Sequence, residues 1–198
     1  MRELLLATTN QHKLEEYRAI FNDLPFALLS LNDISLDMDV EENGQTFVEN
    51  ATIKAVAYAQ ATGMLSLADD SGLEIDALGG APGVYSARFA GRDTPYDERF
   101  HLILEQMRDL AGAQRSARFV CAIALAEPSG SYRVVEGVIE GEIAEQPRGT
   151  NGFGYDPIFL VPDLGKTTAE LPPEQKHRIS HRGRAAQKAR LLLEAWPG

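Results

Sequence analysis

Only one cysteine, Cys121, occurs among 198 residues, and it sits inside the apolar run Phe119-Val120-Cys121-Ala122-Ile123-Ala124-Leu125. No intramolecular disulfide can form, which excludes the stapled scaffold of small secreted domains and favours a reducing compartment. No stretch approaches the roughly 18 consecutive apolar residues of a membrane span, and the first residues lack the basic, apolar, small-residue order of a secretory leader. The expectation is a cytoplasmic chain with no membrane partner. Positive charge is scarce too: 19 Lys and Arg against 29 Asp and Glu leave a formal charge of -10. Gripping long nucleic acid takes many cationic phosphate contacts, so a polymer partner is not expected. A small anion, held by a few converging cations and backbone N–H groups, remains compatible with that balance. Internal repeats, low-complexity tracts and long Gly/Pro/Ser linkers are missing as well. With 44% hydrophobic residues the chain has material for one sizeable core or two lobes sharing a sheet, and residues 1–198 read as a single domain.

What is present is an interleaving of helical and strand patterns. Glu3 to Ala7 reads as a buried strand, and Gln11 to Phe21 as a helix with Leu14, Tyr17, Ala19 and Phe21 as core candidates. Thr46-Phe47-Val48-Glu49 has the form of a capping box, which predicts a helix to about Ala61, stopped by Gly63. Met64 to Ala68 reads as a short strand ending at Asp69-Asp70-Ser71-Gly72, with a second strand from Leu73 to Asp76, so acidic groups crowd a strand end. Thr94-Pro95 predicts an N-cap followed by proline at the first helical position, opening a helix through Phe100, Ile103, Leu104 and Met107 that ends near Leu110. Ala117 to Ala126 and Tyr132 to Ile143 read as long strands of an antiparallel hairpin turning at Glu127-Pro128-Ser129-Gly130. Pro157 to Val161 is a further short strand, and Arg184 to Trp196 a helix through Ala185, Ala189, Leu192 and Leu193. The predicted class is α/β, built around a mixed sheet.

Four segments carry candidate chemistry. Thr8-Thr9-Asn10 leads into a helix with Lys13 in its first turn, so hydroxyls, free N–H donors and a lysine gather where phosphate oxygens can be held. The segment has no Walker glycines, and an ordinary Asn cap beside a solvated lysine accounts for the same residues. Glu41-Glu42-Asn43-Gly44 and Asp69-Asp70-Ser71-Gly72 offer carboxylates of the kind hard Mg²⁺ prefers, one or two of them with water and phosphates completing the shell. Asp69-Asp70 is the stronger pair, because it follows an apolar run directly. Gly149-Thr150-Asn151-Gly152-Phe153-Gly154-Tyr155-Asp156-Pro157 combines close backbone approach with two aromatics, either of which can stack on a base. Finally, Lys176-His177-Arg178-Ile179-Ser180-His181-Arg182-Gly183-Arg184 sets cations at a helix start with Ser180 as cap, a place the macrodipole disfavours unless an anion or an acceptor-rich base is bound. A zinc pair from His177 and His181 finds no third ligand nearby.

Taken in order, these segments resemble the inosine/xanthosine triphosphate pyrophosphatase family. The matching text is Thr8 to Lys13, Glu41 to Ala51, Ala68 to Leu73, Leu78 to Arg88, Phe153 to Pro157 and Ile179 to Gly183. The resemblance implies a two-lobed α/β homodimer with a nucleotide cleft between lobes. It also implies Mg²⁺-dependent hydrolysis of purine nucleoside triphosphates carrying a 6-oxo group (ITP, dITP and XTP) to the monophosphate and pyrophosphate, which cleanses the nucleotide pool. By the same resemblance Thr8, Thr9, Asn10, Gln11, His12 and Lys13 bind the triphosphate. Glu41 and Asp70 hold Mg²⁺, and Asp70 is the proton acceptor. Ser71 lies against the substrate, Phe153, Gly154, Tyr155 and Asp156 frame the base, and Lys176, His181 and Arg182 complete the nucleotide site. Whether Asp69 is a second ligand or an orienting neighbour stays open. One geometric demand follows: Lys13, Asp70 and Arg182 must converge.

Overall fold

The computed structural model describes residues 2–196. Its strands are β1 (Arg2–Leu6), β2 (Phe26–Ser30), β3 (Leu65–Ile75), β4 (Ser116–Ala126), β5 (Tyr132–Ile143), β6 (Phe159–Val161) and β7 (Lys166–Thr167). The helices are α1 (Gln11–Ile20), α2 (Phe47–Thr62), α3 (Tyr96–Gln106), α4 (Pro173–Ile179) and α5 (His181–Glu194). All seven strands join one sheet in the order β2-β1-β3-β4-β5-β6-β7. The sheet is mixed: β1 runs parallel to β2 and β3, whereas β6 is antiparallel to β5 and β7. β4 and β5 are neighbours linked by a turn that Glu127 N–H closes onto the Ser131 carbonyl at 2.9 Å. So short a link cannot make a parallel crossover, and the pair is the antiparallel hairpin expected.

Local signals placed most elements well. Thr46 caps α2 as a full capping box with Glu49, and Gly63 ends the helix in the left-handed conformation at φ 71°. Of the core candidates on α1, Leu14, Tyr17 and Phe21 are buried, but Ala19 is exposed. Its position lies two residues past Tyr17 and so turns away from the face the other three share.

Three expectations need correction. β3 is one strand of 11 residues, with Asp69 and Asp70 in its middle, not two strands with an acidic end between them. The Asp-Asp-Ser-Gly composition looks like a turn, yet side-chain partners described below allow both carboxylates to stay in the ladder. Thr94 does not cap α3: its hydroxyl donates to the Ala90 carbonyl at 2.7 Å, and the helix begins at Tyr96. α3 also stops at Gln106, where Met107 N–H is shared between the Ile103 and Leu104 carbonyls and the chain tightens into turns.

The chain forms two compact units that are discontinuous in sequence. The first comprises residues through Asp70, 121–137 and from Arg182 onward, and the second 71–120 and 138–181. Because the boundaries fall inside β3, β4 and β5 and at the start of α5, no linker composition marks them. In the first unit Leu4, Leu6, Tyr17, Phe21, Ile123 and Ala189 belong to the core. In the second, Leu73, Ile103, Met107, Phe119, Tyr155 and Phe159 do so. Among the described residues no helix is long and apolar enough to cross a membrane.

Candidate functional site

Within the first unit, three elements bring charge to the middle of β3. β1 ends just before Thr8, whose hydroxyl accepts from Asn10 N–H at 3.2 Å, and Asn10 caps α1 by accepting from Lys13 N–H at 3.2 Å. With its backbone fixed there, Lys13 reaches Asp69 at 2.9 Å. Arg182, at the start of α5, pairs with the same carboxylate at 3.4 Å and with Glu16 of α1 at 2.8 Å. Asp69 is only 2% exposed. Burial alone would push its carboxyl up, but Lys13 and Arg182, aided by Lys54, hold it well below the usual range. It therefore remains ionised and anchors two cations. Lys13 and Arg182 thus meet on one carboxylate, and Asp70 is the next residue along the strand.

Asp70 behaves in the opposite way. Burial raises its carboxyl above the ordinary value, against the lowering influence of Lys54, Asn50 and Lys13, and Glu42 adds to the rise. Asn50 is fully buried on α2 and serves two groups. Its amide NH₂ donates to Asp70 at 3.0 Å, while its oxygen accepts from Gly44 N–H at 2.8 Å. That bond ties the acidic 41–44 loop down. A Cβ on Gly44 would sit 2.7 Å from the Asn50 oxygen, so the loop approaches α2 closely enough to require glycine there. One turn on, Lys54 pairs with Glu42 at 3.1 Å.

These donors fit a hard divalent ion. Asp70 and the glutamates of the 41–44 loop supply carboxylate oxygens, and one or two such ligands suffice where phosphates and water provide the rest. Among the described residues no group of three or more His, Cys, Asp or Glu side chains is arranged to hold a metal. Of the two glutamates, Glu42 is the one whose charge is felt at Asp70, while Glu41 is solvent-exposed. Nearby Cys121 is inert: burial, then Asp69, pushes its thiol up to about 12.

In the second unit the 149–156 loop forms a separate constellation. Asp156 is 3% exposed, and its carboxylate accepts from Lys176 at 2.7 Å, from Thr168 Oγ1 at 2.8 Å and from Phe153 N–H at 2.8 Å. Gly152 adopts φ 76°, and a Cβ there would collide with the Asp156 carboxylate and crowd Lys176, which makes glycine obligatory. The Lys176 ammonium also sits 5.0 Å from the centre of the Phe153 ring. His181, 6% exposed, stacks on Phe119 with ring centres 4.6 Å apart. Tyr155 is buried and lies edge-on to Tyr96 at 5.2 Å, whereas Phe153 is half-buried.

Of the residues singled out in the sequence, Thr8, Asn10, Lys13, Asp70 and Arg182 lie in one unit and Phe153, Asp156, Lys176 and His181 in the other. Thr9, Gln11 and His12 are exposed around the start of α1, and Ser71 and Gly154 are half-buried. Sequence reasoning passed over Glu16, Lys54 and the bridging role of Asn50. Their only advance signal is spacing: Asn50 and Lys54 stand four apart and share a face of the helix whose start the capping box marks.

Residues 4–191 match the model of the Ham1 family. The dITP/XTP pyrophosphatase of Thermus thermophilus is 52% identical over 98% of this chain and 91% of that one. The protein of the same name from Bacillus licheniformis is 46% identical over 98% and 99%. Among solved structures, a HAM1 protein from Coxiella burnetii superposes with a TM-score of 0.90 at 47% identity, covering 98% of this chain and 100% of that one. The Ham1 protein of Staphylococcus aureus does so at 0.88 and 42%, covering 99% and 100%.

Proposed function

The chain belongs to the Ham1 family, and on that premise we propose how its residues divide the hydrolysis of deaminated purine nucleoside triphosphates to monophosphate and pyrophosphate. Thr8, Thr9, Asn10, Gln11 and His12, together with Lys13 at the start of α1, take the triphosphate. Lys13 is aimed by its bond to Asp69, and Arg182 is fastened to the same carboxylate. A Mg²⁺ ion held by Glu41 and Asp70 would acidify water and neutralise phosphate charge. Asp70 accepts the proton of the attacking water. The Asn50 amide, donating to the Asp70 carboxylate at 3.0 Å, holds it in place for that step. Pyrophosphate is a stable leaving group, so positioning and charge neutralisation do the work and no covalent nucleophile is needed.

Ser71 is assigned to substrate contact. Phe153, Gly154, Tyr155 and Asp156 frame the base, with Lys176 and His181 beside them. A 6-oxo purine is selected by donors aimed at O6, from Arg182 or backbone N–H groups, because adenine presents an amino group there and leaves donors facing donors. The homodimer and the cytoplasmic location are carried as part of the same proposal.

The observation that carries the assignment is the geometry of adjacent carboxylates on β3, with Asp69 fastened to Lys13 and Arg182 and Asp70 tied through Asn50 to the 41–44 loop. Pyrophosphate release from dITP tests it. Activity is expected with Mg²⁺ and none with EDTA. Asp70→Asn should keep nucleotide affinity and lose about 100-fold to 10,000-fold in kcat. Glu41→Gln should raise the Mg²⁺ requirement more than Glu42→Gln, because Glu42 is already paired with Lys54. Near wild-type turnover in Asp70→Asn would refute the base assignment.

A further inference from the structure

Arg99 on α3 is 2% exposed, and in place of a carboxylate it binds four backbone carbonyls. One terminal nitrogen donates to Ser86 at 3.3 Å and Ala87 at 2.9 Å. The other donates to Gly91 at 3.0 Å and Arg92 at 3.3 Å. The segment it grips contains Ala90 at φ 62°, a left-handed conformation that a non-glycine residue holds only where its surroundings impose it. A planar fork can satisfy several carbonyls at once, which a lysine point charge cannot.

The grip leads to the base loop. The Ser86 carbonyl that Arg99 engages also accepts from the Tyr155 hydroxyl at 2.9 Å, and the Ser86 hydroxyl accepts from Leu73 N–H at 2.9 Å. Tyr155 is held at its other end by Tyr96, whose ring it meets edge-on and over which the Arg99 guanidinium lies at 4.7 Å. Arg99 and Tyr96 therefore fix both the hydroxyl and the ring of the residue between Gly154 and Asp156.

We propose that Arg99 and Tyr96 are positioning residues for base recognition, setting the 153–156 loop through the Ser86 carbonyl and the Tyr155 ring. The inference rests on the assignment of that loop to the base. Each governs how well a preformed loop matches a 6-oxo purine, so its effect falls on binding and selectivity.

Steady-state kinetics of the full chain with dITP and dATP, alongside thermal melts, test this. Arg99→Lys is expected to raise KM for dITP about tenfold with kcat within about twofold, and to narrow the dITP to dATP ratio of kcat/KM. Tyr155→Phe, which deletes only the hydroxyl, should give the same pattern. The double variant should be no worse than the more severe single one, because both act through one carbonyl. Tyr96 is 37% exposed, so Tyr96→Leu tests the same route should Arg99→Lys not fold. Additive losses, or a fall in kcat alike for both nucleotides with KM unchanged, overturn the proposal in favour of a purely structural role. Phe153→Ala separates the two levels of argument. If it leaves selectivity intact, the base assignment fails and the inference with it. If it alters selectivity while Arg99→Lys and Tyr96→Leu do not, the inference alone fails.

Discussion

Asp69 shows how a residue can matter to a site without acting in the reaction. Its side chain is 1% exposed and lies between the Lys13 ammonium and the Arg182 guanidinium. Replacing it by Asn leaves two cations facing a neutral amide in a buried place, and the expected cost at pH 7 is about 3 to 5 kcal/mol. A carboxyl held below its unfolded value contributes stability that is complete above that value and disappears as pH falls through the folded one. In urea titrations with EDTA, the advantage of the wild type over Asp69→Asn should therefore hold at neutral pH and shrink below about pH 4. A gap unchanged down to strong acid would show that the pair is not what the substitution removes. The reading of Lys13 from sequence alone was sound as to place, since an Asn cap fixes the start of α1. Its partner was not legible, because Asp69 comes from a strand 56 positions away along the chain.

At the scale of elements, α2 was the most legible and β3 the least. A capping box is a local agreement between four consecutive residues, and it needs nothing from the rest of the chain to be true. Whether Asp-Asp-Ser-Gly turns or stays extended depends on Lys13, Asn50 and Arg182, all supplied from elsewhere, so composition alone favoured the wrong answer. The same division explains the candidate site. Motif segments were visible, while Glu16 and Arg99 act through tertiary position and leave no local pattern. α2 also joins structure to chemistry, since the helix that Thr46 starts presents Asn50 to Asp70 and Lys54 to Glu42. Thr46→Ala should cost about 0.5 to 2 kcal/mol by differential calorimetry. Because Asn50 stands one turn in, the same change should raise the Mg²⁺ concentration for half-maximal activity. A lowered melting point with an unaltered Mg²⁺ requirement would mean that the cap is structural only.

At the scale of the molecule, the two compact units differ from beads on a string in that neither is a continuous stretch of chain. The first needs three separate segments, the last of which begins at Arg182. That final segment brings Ala185, Ala186, Ala189 and Leu193, each at most 2% exposed, into the core containing Leu4, Leu6 and Tyr17. Burying one leucine-sized side chain is worth about 1.5 to 3 kcal/mol, and a whole domain is stable by only about 5 to 15. Uncovering the face of β1 and α1 that α5 packs against, while also losing the second cation on Asp69, removes an amount comparable with the total. A chain ending after His181 should therefore show no cooperative thermal transition, although it keeps Asp70, Lys13 and the base loop. Supplying residues 182–198 as a separate peptide should not restore activity at micromolar concentration, because association then has to overcome an entropy loss that the covalent chain avoids. A sharp melt in the truncated chain would show that the first unit is complete without its last segment.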